Sequence, residues 1–111
     1  MNPSTTEEPV PEVIMTVAVA LVVFRLHEIH SLKDKRRIVK SLVEKSRSRF
    51  NVSVAEVADQ DAHWQASIGI AAIGNDGRVL NSLLDRIIDF MDALGLAELV
   101  SREVELINVS Y

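Results

Sequence analysis

The run VIMTVAVALVVF, Val13 to Phe24, constrains the fold more than any other part of the chain. It is rich in Val, Ile and Leu and shows no polar alternation before Arg25. A strand with one wet face alternates apolar with polar residues. An unbroken apolar run describes a strand covered on both faces, in the middle of a sheet. The strand-like character continues to Ile29, which is long for a strand, so its start is expected a few residues late. The run's twelve residues are far short of the roughly 20 that a membrane-spanning helix needs. The run is not expected to be the core of a secretion signal either. Glu7, Glu8 and Glu12 precede it with no Lys or Arg, whereas a signal begins with positive charge. The expectation is a cytoplasmic protein with no membrane association.

At 111 residues the chain is one domain, able to bury a modest core. It has no cysteine, which excludes disulfides, thiolate metal sites and thiol nucleophiles and fits a reducing compartment. The opening MNPSTTEEPVPE holds three prolines and three acids. Residues 1–13 are therefore expected to form a disordered tail and residues 14–111 the domain.

Beyond the first strand, Ser31 is placed to cap a helix, with Asp34 three residues on. Ile38, Val39, Leu42 and Val43 give that helix an apolar stripe, and it should fade near Arg47–Arg49. Asn51–Val57 reads as a strand, ADQDAH as a turn and Trp64–Gly74 as a second strand, together an antiparallel hairpin. Asp76 in GNDG is placed to cap a second helix, whose stripe runs from Val79 to Leu94 and is stopped by Gly95. Leu99–Val109 is a last strand, charged enough for a sheet edge. The order β-α-β-β-α-β predicts an α+β ferredoxin-like sandwich: a four-stranded antiparallel sheet with two helices on one face. The first and third strands, the most apolar, should be central. Their apolar residues exceed what one helical layer covers, so the other sheet face is expected to be buried in a homodimer.

Charge is gathered on the first helix. The formal net charge is -4, yet nine of the twelve basic residues lie between Arg25 and Arg49 with three acids, giving +6 there and -10 elsewhere. At about 100° per residue, Lys33, Arg36, Arg37, Lys40 and Arg47 share the side opposite the apolar stripe. Lys35 points toward the stripe and is expected to snorkel out. A cationic helix N-terminus suits an anion, so these five residues are the candidate RNA- or anion-binding site. The acidic remainder argues against indiscriminate nucleic-acid binding.

SLKDKRRIVKSL, then RFNVSVAEV and DQDAHWQ, resemble the YlxP-like family of small bacterial proteins of unknown function. The resemblance covers about Thr16 to Val109 and rests on residues such as Ser31 to Arg37, Asn51 to Ser53, Ala55, Glu56, Asp61, Trp64 and Gln65. It implies the ferredoxin-like fold and no catalytic residues. The family's gene neighbourhood, beside translation initiation and ribosome maturation factors, implies a ribosomal or RNA role. The turn DAHW has one more residue between acid and tryptophan than the family pattern, and the N-terminal tail is longer.

Other groupings carry less. His27 and His30, an odd number apart in a strand, would face opposite sides, and Asp59, Asp61 and His63 read as turn formers. No metal and no cofactor are expected. Trp64 is read as core, dimer contact or stacking platform, and Glu56, Asp61, Trp64 and Gln65 as a polar tip or interface contact. GNDG has the spacing of a KH-domain loop but joins a strand to a helix, and the sheet lacks the aromatics with which an RRM stacks bases. There is no nucleophile motif or phosphate-binding glycine loop. The expectation is a non-enzymatic accessory protein of translation or ribosome maturation that binds structured RNA, with ribosomal RNA or the ribosome as partner. The alternative is a homodimeric protein-interaction or anionic small-ligand module.

Overall fold

The first strand, β1 (Ile14–Arg25), pairs with a neighbour on each side, as its uninterrupted apolar sequence demands. The computed structural model describes residues 12–111. Of the tail expected over residues 1–13, residues 1–11 lie outside that range. The remaining elements are α1 (Leu32–Arg49), β2 (Ser53–Ala58), β3 (Gln65–Gly74), α2 (Gly77–Ala93) and β4 (Glu98–Ser110). The sheet order is β2-β3-β1-β4 with every pairing antiparallel. The fold is the ferredoxin-like α+β sandwich, with β1 and β3 central and β2 and β4 at the edges. Backbone pairing with β4 reaches back to Val13, whose N–H and C=O each bond Tyr111 at 2.8 Å.

Register sorts the faces. Ala18, Ala20, Val22 and Phe24 of β1 share one face with Ala66, Ile68, Ile70 and Ala72 of β3. These eight are buried in one cluster with Val39 and Leu42 of α1 and Leu80, Leu84, Ile87, Ile88 and Met91 of α2. Both helices therefore cover the same face. Thr16 and Asn108, paired across β1 and β4, close its margin through a 2.8 Å side-chain hydrogen bond.

Local chemistry sets the element ends. Ser31 Oγ accepts from the Asp34 N–H at 3.1 Å, satisfying a free amide of the first turn. Asp76 does the same for Arg78 and Val79. After α2, Gly95 takes φ +66°, a left-handed conformation that costs glycine little. One expectation is corrected: β1 ends at Arg25 rather than Ile29. Glu28 adopts φ 60°, which breaks the extended chain, so His27 and His30 sit in the connecting loop and not on opposite strand faces. Among the described residues no helix is long and apolar enough to cross a membrane.

Phe24 is fully buried on β1 at the centre of the cluster. Phe24→Ala should cost about 3–5 kcal/mol, read as a lowered urea midpoint with an unchanged m-value.

Candidate nucleic-acid interface

The candidate interface is built on α1, whose sheet-facing stripe is polar at both ends. Lys35, Val39, Leu42 and Ser46 are its buried positions. Lys35 does not snorkel, contrary to expectation; it is 1% exposed. A buried ammonium needs partners on every side, and the β2–β3 hairpin supplies them. Nζ donates to the carbonyl oxygens of Asp59 at 2.5 Å and Ala62 at 2.6 Å, and lies 3.0 Å from Glu56 Oε2. The carboxylate contact is an ion pair without hydrogen-bond alignment.

Asp59 is the pivot of this knot. Its backbone is left-handed at φ 66°, a conformation Asp tolerates better than most residues. While its carbonyl faces Lys35, its carboxylate accepts from Ser67 Oγ at 2.6 Å and Gln65 Nε2 at 3.2 Å. Those hydrogen bonds, from Ser67 first and then Gln65, hold its carboxyl below the usual 3.8. Desolvation works against them and the Lys35 charge adds to them. The carboxylate is thus held on β3 by Gln65 and Ser67. Among the described residues no group of metal-ligating side chains is present.

With Lys35 turned inward, the other basic residues remain on the surface. Lys33, Arg36, Arg37, Lys40 and Arg47 are all exposed on α1. Only Arg37 has a carboxylate within 4 Å among the described residues, Asp34 at a weak 3.9 Å. Glu44, one of the three acids counted in this segment, was not assigned to the basic face. It lies four residues after Lys40 and three before Arg47, so it occupies the same face and lowers the local charge. Helical spacing alone could have found it.

The polar tip divides in two. Glu56 and Gln65 belong to the Lys35 knot. Asp61 and Trp64 remain exposed, and Trp64, at 56% exposure with His63 edge-on at 5.5 Å, is not a core residue. The backbone explains this: the Trp64 carbonyl accepts from Leu26 N–H, leaving the residue in the connection ahead of β3, at the margin of the helical layer. Lys35 links this connection to α1, so Trp64 and the basic first turns share one end of the molecule.

Fold and surface together define a ferredoxin-like domain whose first helix presents a one-sided basic face. The chain belongs to the family described as protein of unknown function (DUF503), which matches residues 17–104. It is 32% identical over 68 residues to the uncharacterized protein YlxP of Bacillus subtilis (strain 168), a match covering 61% of this chain and 74% of that one. Among solved structures it is similar to the de novo designed protein Foldit4, with TM-score 0.46 and 17% identity over 86% of this chain and 96% of that chain. It is also similar to a mutant of SnoaB, a cofactor-independent oxygenase from Streptomyces nogalater. That TM-score is 0.45, with 13% identity over 82% and 90% of the respective chains.

Two predictions follow from the knot. Lys35→Met keeps the side-chain bulk but strips the cation from Glu56 and two carbonyls. It should destabilise the domain by about 3 kcal/mol, the low end for a broken buried pair because Glu56 retains some exposure. Chemical denaturation measures this, and adding Glu56→Gln should restore part of the loss. Asp59→Asn keeps the left-handed preference and removes the charge. Because folding lowers the Asp59 value, its ionised form favours the native state above pH 3.8, and that contribution fades as pH falls through the lower folded value. The stability gap between wild type and Asp59→Asn should therefore be constant near neutrality and narrow below pH 3.8.

Proposed function

We propose that this protein is a non-enzymatic accessory factor of translation or ribosome maturation that binds structured RNA through the exposed face of α1. The observation that carries the reading is the set Lys33, Arg36, Arg37, Lys40 and Arg47, five exposed cations with one weak carboxylate contact among the described residues. Cations neutralised within the fold would have little left to offer a phosphate, whereas free ones release counterions on binding.

The position of the charge supports the same reading. Lys33, Arg36 and Arg37 crowd the helix N-terminus, where the macrodipole opposes them by a few tenths of a kcal/mol each, about 0.3 or more. An anion docked there would reverse that penalty, since free amides and cations then face one target. Exposed Trp64, at the same end, offers a ring on which an unpaired base could stack. Binding of this kind reads backbone shape more than base sequence. The acidic surface elsewhere repels phosphate and confines the contact to this face. The second reading, an anionic small ligand on the same cations, draws on the same observation.

Co-sedimentation with separated ribosomal subunits across a salt series tests the proposal. Saturable binding should weaken with salt at a slope corresponding to about three to five phosphates. Lys33→Glu, Arg36→Glu and Arg37→Glu together should abolish it while leaving the melting temperature nearly unchanged. Binding that survives the triple reversal would remove α1 from the interface.

A further inference from the structure

The sheet face turned away from the helices carries a second surface. Register places Val17, Val19, Leu21 and Val23 of β1 there, beside Ile73, Ala71 and Gly69 of β3 and Ile107 of β4. Ile73 is 64% exposed and Val57 52%. An apolar patch of this kind, bounded by polar edges, is uncommon on a surface that stays in water.

We propose that this face binds the same face of a second copy of the chain, forming an α-β-β-α sandwich about a two-fold axis. Three features on the face select that occupant. The first is relief. Val57 bulges from β2 where the pairing slips between Glu56 and Ala58, and its side chain lies over Gly69, where any Cβ would meet Val57 Cγ1 at 2.8 Å. Beside that ridge, a hollow runs over Val19 and Leu21 toward β4. An axis along the strands between β1 and β3 exchanges the β2 side with the β4 side at the same height. It carries Val57 of each copy into the hollow over Val19 and Leu21 of the other, the knob and socket of an isologous contact.

The second feature is charge. Glu103 and Glu105 point outward from β4, opposite Leu21 and Val19 of β1. The same axis lays them over Ser53 and Ala55 on β2 of the other copy, which are uncharged, at a rim open to water. An axis across the strands would instead bring Glu105 against its own copy. The third is size. From Met15 to Val23 the face is three strands wide, and β2 adds a fourth only opposite Val19 to Val23; at about 4.8 Å between strands and about 3.4 Å per residue it offers about 500 Å² per copy. A pair therefore removes about 1,000 Å² from water, at the roughly 1,000 Å² where specific interfaces begin.

Sedimentation velocity on the full chain without RNA tests this independently of the RNA reading. Wild type should sediment at twice the 12.3 kDa chain mass, with dissociation only on dilution. Val57→Arg and Ile73→Asp both alter side chains that are more than half exposed in the single chain. Each should sediment as one chain with an unchanged far-UV circular dichroism spectrum. Wild type that remains a single chain at every concentration overturns the proposal, and so does a dimer that persists in both variants. A monomer that still co-sediments with ribosomal subunits would discard the dimer and keep the RNA contact; a dimer that does not would do the reverse.

Discussion

The ammonium group of Lys35 holds α1 to the β2–β3 hairpin, and the placement of the surface features depends on that one attachment. Helix and hairpin otherwise meet through apolar contacts, which resist separation but tolerate sliding. The Lys35 Nζ binds two carbonyls in the hairpin connection and pairs with Glu56 on β2, so it fixes both distance and register. Burying a cation is expensive, and an apolar residue of similar size would often be as stable. What the cation adds here is position: it anchors the connection that carries Trp64 against the turn of the helix that carries Arg36 and Arg37. Asp59 extends the tie to the far side of the sheet through Ser67 and Gln65.

That arrangement separates two kinds of positive charge that adjoin in sequence. Lys33 to Arg37 contains four cations, and they do different work. Lys35 is consumed by the fold, whereas Lys33, Arg36 and Arg37 are left in water. Substituting any of the exposed three changes the surface field; substituting Lys35 changes the structure beneath it. A mutational survey that treated the run as one basic cluster would confuse loss of binding with loss of folding.

The fold was legible in the sequence because its signals are local. Ser31 and Asp76 announce caps within three residues, and the stripes of α1 and α2 repeat over a few turns. The unbroken apolar run of β1 also gave its central place, since a strand paired on both sides has no wet edge to encode. The Lys35 knot was not legible. Its partners lie more than twenty residues away, and two of them are backbone carbonyls, which leave no mark in a sequence. The burial of Lys35 could be sensed from its angle on the helix but was resolved the wrong way, because snorkelling is the commoner outcome for lysine. The core alternative for Trp64 failed for a related reason: its exposure is set by where β3 begins pairing, which depends on the conformation of the preceding turn.

The two unsatisfied surfaces of the domain face opposite ways, and this limits how they can act together. The sheet–helix arrangement puts the basic face of α1 on one outer side and the apolar sheet face on the other. Occupying one leaves the other open, so RNA binding and self-association would not compete for area. In the proposed dimer the two basic helices lie on opposite outer surfaces, separated by four layers about 10 Å apart. One straight RNA duplex could not lie across both at once, because the two faces point in opposite directions. Two-fold pairing would therefore not double the grip on one site, as linked modules do when their geometry allows simultaneous engagement. It would instead hold two RNA segments on opposite sides of one protein.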